Sequence, residues 1–171
     1  DFQMLEASLV FGELGLVDEA SRLLLAVCVE AVPENERSPL PIYYLAYFAS
    51  MQKDQAKAKI YLNQAAGIYR DYIFPSRPEA VEVFKFAIEK NPDDAYAHLH
   101  IGNLYCHLGR LSEAVRHWQM AANLDPSLSV AFRNLGLYAW AIENDLSKVE
   151  RLYRKAIIAR PKDQTLYRDL A

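Results

Sequence analysis

Three observations predict an all-α fold of stacked antiparallel helix pairs: a segment that repeats itself, small and large apolar residues at helical rather than alternating spacing, and a proline closing each copy. Ala95 to Leu128 returns as Ser129 to Asp163. In the first copy Gly102, Ala114 and Ala121 are small, Tyr105 and Trp118 are large, and Pro126 ends the unit. The second copy matches with Gly136, Val149, Ala156, Tyr153 and Pro161; Ala139 replaces the tyrosine, and one extra residue near Asn144-Asp145 is expected to lengthen the turn. A small residue in each helix lets the two axes approach, and the aromatic fills the space beside them.

In chain order, residues 1–68 read as degenerate helix pairs, with Gly15, Ala20, Leu24 and Val27 and then Leu45-Ala46, Ala49, Ala58, Leu62 and Ala65 at repeat spacing. Residues 69–78 hold Pro75 and Pro78 and read as an irregular connector, where a first-type helix is missing. Regular repeats are expected over 79–171, starting with a second-type helix from Glu79 to Asn91 that carries Ala80, Phe84 and Ala87 ahead of Pro92. Asp94, Ser112, Ser127 or Ser129, and Asp163 stand where helix N-caps are wanted. Tyr167, Leu170 and Ala171 break off inside a further first helix and Asp1 is not a methionine, so a piece of a larger protein is expected.

His98, Ile101-Gly102, Tyr105, Ala114, Trp118, Ala121 and Pro126 resemble the tetratricopeptide repeat, whose pattern runs over about 34 residues. His98 departs from it, since a tryptophan or another large residue is usual there; Phe132 restores the aromatic in the next copy, ahead of Leu135-Gly136. The second half is also similar to the C-terminal helical part of large bacterial proteins with an uncharacterised, sugar-enzyme-like all-β region before their repeats. The resemblance implies an α-solenoid, a right-handed superhelix whose first helices line a concave wall. It places Tyr96, Leu99, His100, Asn103, Cys106 and His107 on that wall, followed by Val130, Arg133, Asn134, Leu137, Trp140 and Ala141, then Arg168 and Asp169. Trp140 is the expected anchor for a bound peptide, with Asn103 and Asn134 holding main-chain amides and Arg133 supplying charge. Family members that clamp chaperone C-termini need cations where Leu99, Thr165 and Asp169 stand here, which argues against such a clamp.

Composition narrows the function classes. With 52% hydrophobic and 24% charged residues the chain is a globular type, and a net charge of -3 argues against nucleic acid or an anionic membrane as the main partner. A helical-repeat RNA reader would need a basic wall. The longest apolar runs fall short of the ~20 residues of a membrane span, no leader-like segment opens the chain, and the cytoplasm is the favoured compartment. Cys28 and Cys106 are far apart and read as small buried hydrophobes.

His98, His100, His107 and His117 cluster in sequence, but their spacing does not suit a helical metal pair and no carboxylate accompanies them. Asp93-Asp94 and Glu34 with Glu36 fall at predicted turns, and neither a GxSxG nor a phosphate loop occurs. No enzyme and no cofactor are expected. The expected role is a scaffold for a protein or peptide partner; the alternative is a structural or regulatory helical appendage of a larger bacterial carbohydrate-active protein, docked on that protein's own missing domain. Apolar faces at the two ends would let copies of the piece associate.

Overall fold

The computed structural model describes residues 2–68, 73 and 75–170, with side chains from residue 5 onward. Residues 69–72 and 74 of the expected connector, and Ala171, lie outside the described residues. The regular structure of the described residues is all helical, with no strand among them. In order come α1 (Phe2–Glu13), α2 (Val17–Leu24), α3 (Pro39–Met51), α4 (Gln55–Ala66) and α5 (Ala80–Lys90). Then follow α6 (Ala95–His107), α7 (Leu111–Leu124), α8 (Ser129–Tyr138), α9 (Leu146–Ala159) and α10 (Gln164–Leu170). Two π turns extend helices, Leu25–Glu30 after α2 and Ala139–Glu143 after α8. Among the described residues no helix is long and apolar enough to cross a membrane.

The described residues form two compact units, one from 1–70 and 82–92, the other from 71–81 and 93–171. Most of α5 thus packs with α3 and α4, although the sequence groups it with the repeats that follow. The reason is aromatic: Phe84 sits edge-on to Tyr43 at 5.3 Å and Phe86 to Tyr47 at 5.8 Å. Such pairs add to the burial of their large apolar surfaces. In the same unit Ala20 and Leu24 are buried as their spacing predicts, but the π turn shifts the register by one residue. Cys28 and Val29 are therefore buried, and Val27 is only half-buried.

Four helix pairs turn in the same way. Gly15, Lys53, Gly109 and Asn144 have φ of 79°, 63°, 75° and 54° and end α1, α3, α6 and the π turn after α8. A left-handed residue at this place lets the next amide reach back and satisfy an orphan carbonyl of the finished helix. The bonds are Leu16 N to Phe11 O (2.9 Å), Asp54 N to Ala49 O (2.9 Å), Arg110 N to Tyr105 O (2.8 Å) and Asp145 N to Ala139 O (3.2 Å). The last reaches one residue further back, which accounts for the extra residue of the second copy. It is accommodated inside the helix as a π turn and not in the loop.

Caps follow the sequence in part. Asp94 accepts from Ala97 N at 2.9 Å and Asp163 from Thr165 N at 3.0 Å. Ser112 lies within α7, whose cap is Arg110, and α8 is capped by Leu128, with Ser129 already helical. Helix pairing in the second unit rests on the two glycines. A Cβ on Gly102 would lie 2.6 Å from Trp118 Cδ1 and 3.2 Å from the Ala114 carbonyl, and one on Gly136 would lie 2.7 Å from Tyr153 Cε2. Only hydrogen in place of a side chain permits that approach.

Candidate functional site

The residues expected to meet a partner lie in the second unit, and the structure sorts them by exposure. Leu99, His100, Asn103 and Asn134 are buried; Tyr96, Arg133 and Leu137 are half-buried; His107, Trp140 and Arg168 are exposed. Trp140 is 60% exposed. Its position follows from the π turn, which places Ala139 in the core at 0% exposure and leaves the next side chain outside. Such turns recur at functional sites.

A buried polar network centres on Asn103. Its Oδ1 accepts from Trp118 Nε1 at 2.9 Å and from Asn134 Nδ2 at 2.8 Å. Its Nδ2 donates to the Ile73 carbonyl at 3.2 Å. His100, on the same face of α6, is buried, and burial holds its pKa down to about 4. The α6 face that the sequence offers to a partner is therefore occupied, at least around Ile73, by the chain itself.

Two hollows flank Leu137. One, of about 290 Å³, is apolar apart from the amides at Asn103 and Asn134, and takes Trp118, Tyr138 and Ile142 into its wall. The other, of about 240 Å³, is bounded by Trp140, Val149, Tyr153 and Asp169. Arg133 Nε donates to Asp169 Oδ2 at 2.8 Å in a half-buried pair, so its charge is matched within the chain. Burial, then the neighbouring Asp169 carboxylate, pushes the Tyr153 hydroxyl up to about 12, keeping it a neutral donor. The exposed Arg168 lies 3.7 Å from Asp169.

The histidines separate. His98 and His117 share a hydrogen bond between their Nδ1 atoms at 2.9 Å, with Tyr105 against His117 at 5.5 Å between ring centroids. Burial, then His98 and Arg116, hold His117 down to about 4. His100 is buried while His107 is exposed. Among the described residues no three His, Cys, Asp or Glu side chains converge as metal ligands. Burial raises the pKa of both Cys28 and Cys106 and keeps them thiols, which suits a packing role and not a nucleophile.

Sequence reasoning treats Trp118 as packing alone and leaves out Tyr138 and Ile142. A signal for the last two existed, since both follow Leu137 within a turn or so of helix, but the π turn that carries Ile142 outward has no composition of its own. Ile73 takes part through its backbone, and a carbonyl carries no residue signal at all.

The tetratricopeptide repeat family model matches residues 95–128. Protein O-mannosyl-transferase TMTC3 of Homo sapiens is 27% identical over 138 residues, covering 72% of this chain and 15% of its own length. Hsp70-Hsp90 organizing protein 3 of Arabidopsis thaliana is 29% identical over 87 residues, covering 51% of this chain and likewise 15% of its own. Among solved structures, the thermophilic TPR protein TTC0263 of Thermus thermophilus covers 98% of this chain and 95% of its own at 22% identity, with a TM-score of 0.49. The chain thus spans about 15% of the length of these curated relatives. Residues 95–128, which match the tetratricopeptide repeat model, span α6, α7 and the turn that leads to α8, within a chain of helix pairs.

Proposed function

We propose that the second unit is a protein-interaction module that takes a partner polypeptide on the face formed by α8 and its π turn. The observation that carries this reading is Trp140, a large side chain 60% exposed that lines the smaller of the two hollows meeting at Leu137. Trp is the residue type in which interface energy concentrates, above all beside a pocket that sheds water. Leu137 and Ile142 extend the apolar contact, and Asn134 presents an amide at the base of the larger hollow for a partner's main chain. Tyr96, His107, Arg133 and Arg168 form the polar surroundings, while Leu99, His100 and Asn103 support them from within.

The name of the plant relative raises chaperones as partners. Leu99 and Asp169 do not suit a carboxylate clamp, and Asp169 is itself an anion tied to Arg133. The partner proposed here is an internal peptide segment with an apolar anchor and not an anionic tail. Affinity capture with the chain and with Trp140→Ala, followed by titration of whatever is captured, tests this. The expected result is a partner bound at least tenfold more weakly by the variant, with thermal stability unchanged, as a side chain outside the core predicts. Equal binding would remove Trp140 from the site, and a large loss of stability would make it a packing residue.

A second reading is favoured by the small share of its curated relatives that the chain spans. In it, the helices are an appendage of a larger carbohydrate-handling protein and dock on that protein's other domains. Cross-linking within the full-length parent would then join Trp140 to the parent itself, and capture would return no other protein.

A further inference from the structure

We infer that the smaller hollow, formed by α8 with its π turn, α9 and α10, is a pocket for a tyrosine side chain of the partner, whose hydroxyl bridges Tyr153 and Asp169. The inference rests on the interaction role proposed above and names the residue that anchors there. All the lining residues belong to the second unit: Leu137, Trp140, Val149, Tyr153 and Asp169. At about 240 Å³ the hollow falls below the ~300–1,000 Å³ usual for small-molecule sites, and it suits one side chain of a polypeptide.

Two polar atoms define what that side chain must carry. Tyr153 is 1% exposed, yet its hydroxyl has no hydrogen-bond partner among the described residues. A buried hydroxyl without a partner is a standing cost to the folded chain, and native proteins rarely leave one. Burial, then the Asp169 carboxylate, keeps the group protonated, so it has a hydrogen to donate. The second atom is Asp169 Oδ1. Arg133 places Nε and Nη2 on the other oxygen, Oδ2, at 2.8 and 2.7 Å. Arg168 stands 3.7 Å from Oδ1, too far to donate a hydrogen bond to it, which leaves that oxygen able to accept.

The hollow thus offers one donor and one acceptor in a wall otherwise made by Leu137, Val149 and the Trp140 ring. A hydroxyl meets both, because it accepts and donates at one atom. A phenyl or aliphatic side chain leaves both unmet. A carboxylate cannot donate and brings a second negative charge to Asp169, and an ammonium cannot accept and joins two arginines around one carboxylate. Serine, threonine and amide side chains bring too little apolar surface for the wall, whereas the tyrosine ring covers it and pairs with Trp140. The buried hydroxyl is reached by an outward turn of the Trp140 ring, which lines the same hollow and is mostly exposed.

The test uses the full chain and two probes, p-cresol, which is the tyrosine side chain itself, and toluene, which lacks the hydroxyl. Each is titrated into the native chain and into Tyr153→Phe while NMR follows the Trp140 indole N–H, assigned by its loss in Trp140→Ala. The native chain is expected to bind p-cresol at least about fivefold more tightly than toluene, and Tyr153→Phe to bind the two equally. Tyr153→Phe keeps the ring on Gly136, so its thermal midpoint is expected to stay the same or rise, since the hydroxyl removed has no partner in the free chain. Equal binding of the probes by the native chain, no response of the Trp140 indole, or a preference that survives in Tyr153→Phe overturns the inference. A lowered midpoint in Tyr153→Phe overturns it as well, by showing that the hydroxyl is already satisfied within the fold. The Trp140→Ala capture reads the partner and not the probes, so a partner lost there without a p-cresol preference here removes the tyrosine pocket and leaves the interaction role standing.

Discussion

The α6–α7 pair and the α8–α9 pair start from one sequence pattern and end with different surfaces. Each sets a glycine against an aromatic ring of the facing helix, Gly102 on Trp118 and Gly136 on Tyr153. The first turns through Gly109 with a regular helix end, and its polar groups are drawn inward into the Asn103 network. The second carries one residue more, takes it up as a π turn, ends on left-handed Asn144 and leaves Trp140 outside. Repeats tolerate such an insertion because close packing fixes the Gly–aromatic contact, and the strain passes to the nearest helix end, where fewer bonds are lost. One pair has become internal structure, and the other presents a surface.

That contrast can be broken or sharpened. The largest expected effect is acid sensitivity confined to the first pair, because all four histidines lie in α6 and α7. His100 and His117 are held to about 4 in the folded chain, below the unfolded value of about 6.5. Between those values the unfolded chain binds more protons, so their stabilisation is complete above pH 6.5 and is lost as pH falls through 4. The loss is expected to be about 3 kcal/mol, mainly from the fully buried His100. Urea midpoints at pH 7 and pH 4 measure it, and His100→Gln with His117→Gln should flatten the profile; an unflattened profile would place the acid-sensitive element elsewhere.

Next in size, Gly102→Leu should cost about 3 kcal/mol and Gly136→Leu about 1–2. Trp118 is held to the buried Asn103 and cannot swing aside, whereas Tyr153 lies next to a π turn that can relax. Thermal melts of the two variants check the order, and a reversal would mean that the irregular pair is the stiffer one.

The smallest effects concern the turns. Gly109→Ala should cost about 1 kcal/mol from backbone strain alone, since the new methyl would meet nothing within 4 Å. Lys53→Gly, at the equivalent left-handed place in the first unit, should be neutral or stabilise by a few tenths of a kcal/mol. Denaturant midpoints that moved both variants the same way would show that these two turns are not equivalent.

The helix pairs were legible because their cause is local and periodic. Gly102, Ala114 and Trp118 must meet wherever two helices pack closely, and spacing alone places them together. Residues 1–68 were legible to a lesser degree: Ala20, Leu24, Ala58, Leu62 and Ala65 are buried as read, while the π turn after α2 passed burial from Val27 to its neighbours. The candidate site was legible only as a set of positions on a first-helix face. Which of them a partner can reach depended on where the chain's own backbone went.

The sequence by itself therefore determined the helix pairs and their glycine contacts, which follow from residue type at a fixed spacing. Only the tertiary structure decided that Asn103 closes on Ile73, that α5 packs with α3 and α4, and that Trp140 faces out. Those outcomes depend on a backbone carbonyl, on aromatic side chains brought together from distant segments and on a one-residue change in helix winding, none of which has a periodic signature in the chain.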